Sequence, residues 1–159
     1  MTNPLTGEKL RTGYAMFPSG VAALCALVND QPVGMAASSF TSVSLEPALV
    51  SVCVDRGSTT WPQLYAADRI GVSVLGSDQE KLCRALAAKG QDRFANATWD
   101  VGPHGAVLLH GASLWLQCRL FDTVPAGDHE IILLEVEDMT PFADTQPLVF
   151  HRSSFRVLA

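Results

Sequence analysis

Gly34-Met35-Ala36-Ala37-Ser38-Ser39-Phe40-Thr41-Ser42-Val43-Ser44-Leu45-Glu46-Pro47 lies between two apolar runs of strand length, VAALCALV at 21–28 and ALVSVCV at 48–54. The stretch is rich in small and hydroxyl side chains and holds one acid. Small residues let a backbone approach a flat ligand closely, and Ser and Thr add short donors and acceptors. Two readings stand side by side, a ligand-lining surface or an ordinary Ser-rich loop.

Outward from this stretch, short apolar runs alternate with turn signals. Pro18-Ser19-Gly20 before 21–28 and Asn29-Asp30-Gln31-Pro32 after it favour a strand closed by a hairpin, with 32–38 returning. Further strands are expected at 69–75, 106–109, 112–124, 129–136, 148–152 and 155–158. Pro125-Ala126-Gly127-Asp128 is a strong turn signal. Helices are expected at 10–17, after Ser58 or Thr59 through Trp61, Leu64 and Tyr65, and from Ser77 or Asp78 to about Ala88. Residues 89–99 read as a polar loop holding Arg93-Phe94. Many short strands with few βαβ units predict a mainly β chain, a closed antiparallel barrel with Greek-key connections.

The 159 residues predict one domain over 1–159. Apolar residues reach 48% and charged residues only 17%, with mean hydropathy +0.19. The surplus apolar surface predicts a homo-oligomer. The net charge of −5 and the lack of a basic cluster argue against nucleic acid. No apolar run approaches a membrane span, and residues 1–11 lack a basic-then-apolar leader, so the expected location is cytoplasmic. Cys25, Cys53, Cys83 and Cys118 form no CxxC pair. Cys25, Cys53 and Cys118 lie in apolar runs and are expected as buried free thiols. No metal site is expected, since His104, His110 and His151 lack ligand spacing. Trp61, Trp99 and Trp115 are expected in the core or at an interface. Arg93 pairs with Asp92 or Glu80, or meets a phosphate. The Asp55-Arg56-Gly57-Ser58-Thr59-Thr60 turn opens a helix and offers free N–H groups to a phosphate.

The ordered set Phe17-Pro-Ser-Gly-Val21, Gly34 to Pro47, Asp55 to Thr60, Lys89, Asp92-Arg-Phe94, Gly127-Asp-His129 and Leu148-Val-Phe-His-Arg152 resembles the short-chain flavin reductases. These are the reductase components of two-component flavin monooxygenases. The resemblance runs from about Leu10 to Leu158. It implies an FMN-binding split β-barrel, usually a homodimer, that reduces FMN or FAD with NADH or NADPH. The reduced flavin then passes to a partner oxygenase.

The resemblance also implies roles. Met35, Ala36, Ala37, Ser38 and Ser39 line the isoalloxazine edge. Asp55, Arg56, Ser58, Thr59 and Thr60 meet the ribityl chain and phosphate. Lys89 and Phe94 close over phosphate and ring. His129, in the turn with Gly127 and Asp128, meets the nicotinamide, and Phe150, His151 and Arg152 sit at the nucleotide mouth. Relatives often carry Thr where this chain has Ala36 or Ala37, which removes a hydroxyl donor to the ring. The chemistry belongs to the cofactor, so the protein's task is to stack two rings at about 3–3.5 Å and to stabilise developing negative charge. No general acid is required.

Rival readings remain. His129 after a Gly-Asp turn is also a plain turn residue bonded to Asp128. The barrel also suits a non-enzymatic flavin- or haem-binding protein. A pyridoxamine-phosphate-oxidase-like enzyme needs more basic residues than the 11 present.

Overall fold

The computed structural model describes residues 4–159. Met1, Thr2 and Asn3, part of the expected 1–159 domain and of the 1–11 segment expected to hold no leader, lie outside the described residues. The chain runs α1 (Gly7–Tyr14), β1 (Ser19–Gly20), β2 (Ala22–Val28), β3 (Gln31–Ala37), β4 (Thr41–Leu45) and β5 (Ala48–Asp55). It continues through α2 (Trp61–Tyr65), β6 (Ile70–Val74), α3 (Glu80–Ala87), β7 (Trp99–Val101), a 3-10 turn at Pro103–Gly105 and β8 (Val107–Leu109). It ends with β9 (Leu114–Ala126), β10 (His129–Pro141), β11 (Val149–His151) and β12 (Ser154–Arg156).

Seven strands form one antiparallel sheet in the order β3-β2-β6-β9-β10-β5-β4. Its edges are β3 and β4, which only residues 38–40 join. Four backbone steps reach at most roughly 14 Å, so this connection holds the end of β3 near the start of β4 and curls the sheet. The ladder does not close: the sheet is the split barrel that the resemblance implies, not the closed barrel read from the strand pattern. The join is stitched by Ser39, whose hydroxyl accepts from the Cys53 N–H at 2.9 Å and donates to the Cys53 carbonyl at 3.2 Å. It extends the β4–β5 ladder with a side chain where the β4 backbone ends.

The expected hairpin after 21–28 is present. Asn29 and Asp30 take φ 52° and 63°, the paired positive angles of a two-residue hairpin turn. β2 is buried from Ala22 to Ala26 because both of its faces are covered, which is why it reads as a continuous apolar run. One face joins Val52, Val72, Leu116, Ile132 and Leu134 inside the curl, with Trp61 and Leu64 of α2. The other joins Leu75, Cys83, Leu86, Phe94 and Leu148 beneath α3. A fully buried leucine here stabilises by about 1.5–3 kcal/mol.

Several expectations are corrected. α1 starts at Gly7 rather than Leu10, because Thr6 caps it by accepting from the Lys9 N–H at 3.1 Å. It ends at Tyr14 rather than at 17, and none of its residues is buried; Tyr14 is 73% exposed, and Phe17 beyond the helix 79%. The 41–47 half of the opening stretch is no ligand-facing loop. It forms β4, an exposed edge strand, and a turn with a cis Glu46–Pro47 bond. Cys53 is exposed, since alternation turns it outward between buried Val52 and Val54. α3 is preceded by Gln79, not capped by Ser77 or Asp78. The Gln79 side chain accepts from the Gly76 N–H at 2.8 Å and donates to the His110 carbonyl at 2.8 Å.

Candidate functional site

The β3 edge faces α2 and α3 instead of another strand. In an antiparallel strand, successive residues direct their backbone N–H and C=O to opposite sides. The Gly34 carbonyl points away from β2, because it accepts from Arg93 Nη1 at 2.9 Å. Pro32, with no N–H to give, has the same parity. Ala36 therefore also presents its N–H and C=O on the open edge.

That edge forms one wall of a cleft of about 530 Å³. Met35 and Ala36 supply the β3 wall. Asp55, Gly57, Ser58, Thr59 and Thr60 supply the second, and Leu86, Ala87, Lys89 and Arg93 the third. The second wall is shaped by its own bonds. Asp55 Oδ1 accepts from the Gly57 N–H at 2.7 Å, and the Asp55 carbonyl accepts from the Ser58 N–H at 3.0 Å. Ser58 Oγ accepts from the Trp61 N–H at 3.1 Å, although the residue immediately before α2 is Thr60, which gives no side-chain cap, and not Ser58 or Thr59 as expected. Thr60 is 9% exposed, and its Oγ1 accepts from Arg93 Nη1 at 3.0 Å. Lys89 and Arg93 give the cleft two cations against the one carboxylate of Asp55, a local positive field in a chain of net charge −5.

A second cavity of about 330 Å³ adjoins the first, sharing Ala36 and Ala87. Ala37, Ser38, Phe150 and Ser153 line it. Ser38 and Phe150 thus lie on one surface with Ala36. Arg152 lies in the turn between β11 and β12, where Arg152 and Ser153 take φ 53° and 61°. Its N–H donates to the Ala15 carbonyl at 2.8 Å.

The Gly127-Asp128 turn is delivered to the same region by strand register. His129 of β10 pairs with Asp55 of β5, and the Arg56 N–H donates to the Asp128 carbonyl at 3.0 Å. Arg56 Nε also lies 3.4 Å from the His129 carbonyl. His129 Nδ1 lies 2.7 Å from Asp128 Oδ1. That hydrogen bond from His129 is the main cause holding the Asp128 carboxyl below the usual carboxylate range. An ionised carboxylate only accepts, so Nδ1 carries a proton toward Asp128, and the tautomer with one ring proton has Nε2 as its acceptor.

Several side chains are placed differently from one of their expected roles, and Arg56 and Arg152 are not among the lining residues of either cavity. Phe94 is 6% exposed, packed edge-on against Trp99 at 5.6 Å in the core beneath α3. It does not line the 530 Å³ cleft. Ser39 spends its hydroxyl on Cys53. Arg93 makes no salt bridge with Asp92 or Glu80; Glu80 pairs with Arg84 at 2.8 Å. Arg93 binds Gly34, Thr60 and Ala88 instead, the last through Nε at 2.9 Å. Its sequence separation from Gly34 and Thr60 hides this role from sequence reasoning. Among the described residues no group of three or more His, Cys, Asp or Glu is arranged to hold a metal, and no helix is long and apolar enough to cross a membrane.

The site suits a flavin on its own geometry. A small residue with a free backbone edge suits a flat heterocycle, and hydroxyls with two cations suit a phosphate. Comparison with known proteins agrees. Residues 14–159 match the flavin reductase like domain. The chain is 34% identical over 146 residues to a flavin reductase of Pseudomonas putida, covering 91% of this chain and 86% of that protein. It is 29% identical over 148 residues to HsaB of Rhodococcus jostii, the reductase subunit of a flavin-dependent monooxygenase, covering 93% and 76%. The structure of the NADH:FAD oxidoreductase SgcE6 of Streptomyces globisporus, solved with NAD and FAD fragments, superposes with TM-score 0.92 at 36% identity. It covers 100% of this chain and 96% of that one. All three are named as reductases or oxidoreductases, which sets aside the non-enzymatic reading. With a split barrel, a cleft open along β3 and a Gly-Asp-His turn beside it, this chain belongs to the flavin reductase like domain family.

Proposed function

We propose that this flavin reductase holds FMN or FAD in the 530 Å³ cleft and presents it to NADH or NADPH from the side of the Gly127-Asp128-His129 turn. The observation that carries the reading is the unpaired backbone of Ala36 facing a wall of hydroxyls and cations. Met35, Ala36, Ala37 and Ser38 support the ring edge. Asp55, Arg56, Ser58, Thr59 and Thr60, with Lys89, surround the ribityl chain and phosphate. Phe150 lines the adjoining cavity, the seat of the nucleotide, and Arg152 lies next to its lining residue Ser153. Phe94 and Ser39 act from behind the site, through packing and the strand tether.

The flavin, when bound, supplies the N5 that accepts hydride from nicotinamide C4. The protein's residues do the rest. The Ala36 N–H offers a donor where negative charge develops. His129, its tautomer fixed by Asp128, offers Nε2 to the carboxamide N–H of the nicotinamide. The 330 Å³ cavity gives the nucleotide a partly apolar seat beside Phe150. No protein group needs to transfer a proton to the substrate.

The reading extends to one reductase domain over the whole chain, working in the cytoplasm as a homodimer. Reduced flavin leaves for a flavin-dependent monooxygenase, as HsaB's name describes for that protein. Exposed Val43 and Leu45 on edge strand β4, and Phe121 and Val124 on the β9–β10 hairpin, support self-association. Leu45 is 97% exposed.

Steady-state turnover with each of the four flavin and nucleotide combinations tests the activity. NADH with FAD, the pair named for SgcE6, is expected to be consumed well above the rate without protein. No consumption above that background in any combination overturns the reading. Ala36→Leu tests the site: loss of flavin binding is expected with an unchanged melting temperature.

A further inference from the structure

Arg93 fastens all three walls of the cleft with one guanidinium. Nη1 donates to the Gly34 carbonyl at 2.9 Å and to Thr60 Oγ1 at 3.0 Å. Nε donates to the Ala88 carbonyl, just past the end of α3, at 2.9 Å. A guanidinium has donors and no acceptor. Thr60 Oγ1 is therefore obliged to accept from it, and the single hydroxyl proton must go elsewhere. Among the described residues Thr60 Oγ1 donates to no protein acceptor, although the residue is buried and lines the cleft.

We propose that Arg93 is a positioning residue that commits the Thr60 hydroxyl to donate to an acceptor oxygen of the bound flavin, and that fixes this donor relative to the Ala36 N–H. The proposal rests on the flavin occupying the 530 Å³ cleft. The acceptor is an anionic phosphate oxygen or a neutral oxygen of the ribityl chain or ring, and the hydroxyl donates in the same way to each. Gly34 lies two residues before Ala36, with the same outward parity, so the planar fork that holds the Gly34 carbonyl also sets the height of the Ala36 edge against Thr60. A lysine, a point donor on a flexible stem, cannot span the three acceptors at once.

The test is flavin affinity in the absence of nucleotide, read by quenching of flavin fluorescence. FMN and riboflavin are titrated against the wild type, Thr60→Ser, Thr60→Val, Arg93→Lys and the double variant Arg93→Lys/Thr60→Val. Thr60→Val is expected to bind FMN about tenfold more weakly, the loss of one charge-assisted or buried hydrogen bond. Thr60→Ser is expected to restore it. Arg93→Lys is expected to weaken binding to a similar extent, and the double variant to be no weaker than the worse single one, since both remove the same donor. A loss seen with FMN but not riboflavin assigns the acceptor to the phosphate; equal losses assign it to the riboflavin part, ring or ribityl chain. Additive losses in the double variant overturn the proposal. So does wild-type affinity of Thr60→Val beside a weakened Arg93→Lys, which makes Arg93 a strut only and leaves the cleft as the flavin site. If neither single variant changes affinity while turnover persists, the flavin lies elsewhere and the cleft assignment fails with the proposal. Melting curves accompany every variant. If Arg93→Lys does not fold, the Ser and Val variants of Thr60 decide the matter: equal affinity overturns it.

Discussion

His129 stands in register with Asp55, so the first residue of β10 and the last of β5 face each other across the ladder. Two segments more than 70 positions apart thereby become one rim. His129→Ala is expected to raise KM for the nicotinamide nucleotide about tenfold, the worth of one hydrogen bond. Flavin affinity should change less than about twofold, because the imidazole does not line the 530 Å³ cleft. An unchanged nucleotide KM removes His129 from the mechanism.

The same imidazole governs a titration. Asp128 is held below the usual carboxylate range chiefly by the hydrogen bond from His129. A folded-state pKa below the unfolded value of about 3.9 means that the stabilisation is present above that value. It is lost as the pH falls through the lower, folded value. Carboxyl NMR of the native protein is expected to show Asp128 titrating below the ordinary range. In His129→Ala the titration should return to that range.

Ser39→Ala separates structure from recognition. Removing the hydroxyl leaves the Cys53 N–H and carbonyl without their present partner, which costs about 0.5–1.5 kcal/mol. The melting temperature should fall while flavin affinity is kept. A loss of flavin affinity with unchanged stability would return Ser39 to the ligand.

Gly34 is packed where no side chain fits. A Cβ there would lie 2.6 Å from Cys25 Sγ and 2.8 Å from Phe94 Cζ. Gly34→Ala is expected to destabilise by about 1–3 kcal/mol, measured by denaturant titration. Cys25→Ala in the same chain should recover part of the loss by vacating one of the two clashes.

The thiols should divide sharply. Burial pushes the Cys118 thiol up to about 12 and raises Cys25 further, so neither offers thiolate at neutral pH. Cys53 is exposed. A thiol reagent applied to the native protein should modify Cys53 first, and Cys53→Ser should abolish the fast phase. Cys25 and Cys118 should react only after unfolding.

What the sequence made legible follows burial. β2, β5 and β6 announce themselves because water is excluded from one or both faces, and apolar runs record that. α1 starts three residues before the expected Leu10 because the apolar spacing of Leu10, Tyr14 and Phe17 marks no buried face, and its start is written only in the Thr6 cap. β4 was hidden for the same reason: an edge strand exposed along nearly its whole length looks like a polar loop. The Asp55 to Thr60 turn and the Gly127 to His129 turn were legible as pieces, and their adjacency required the β5–β10 register. Phe94 and Arg93 are neighbours in sequence with opposite fates, one in the core and one in the cleft. Only their partners at Trp99, Gly34 and Thr60 distinguish them.

The open edge of β3 has a consequence for how such a site changes over generations. Recognition written in main-chain groups survives any replacement that leaves the backbone path and the space above it intact. Saturation of position 36 should therefore sort by side-chain volume and hardly by polarity, Gly, Ala and Ser forming one tolerated class. The strand can then drift in composition while its hold on a planar partner persists, and the variable chemistry of the surrounding walls is free to retune which flavin and which nucleotide are accepted.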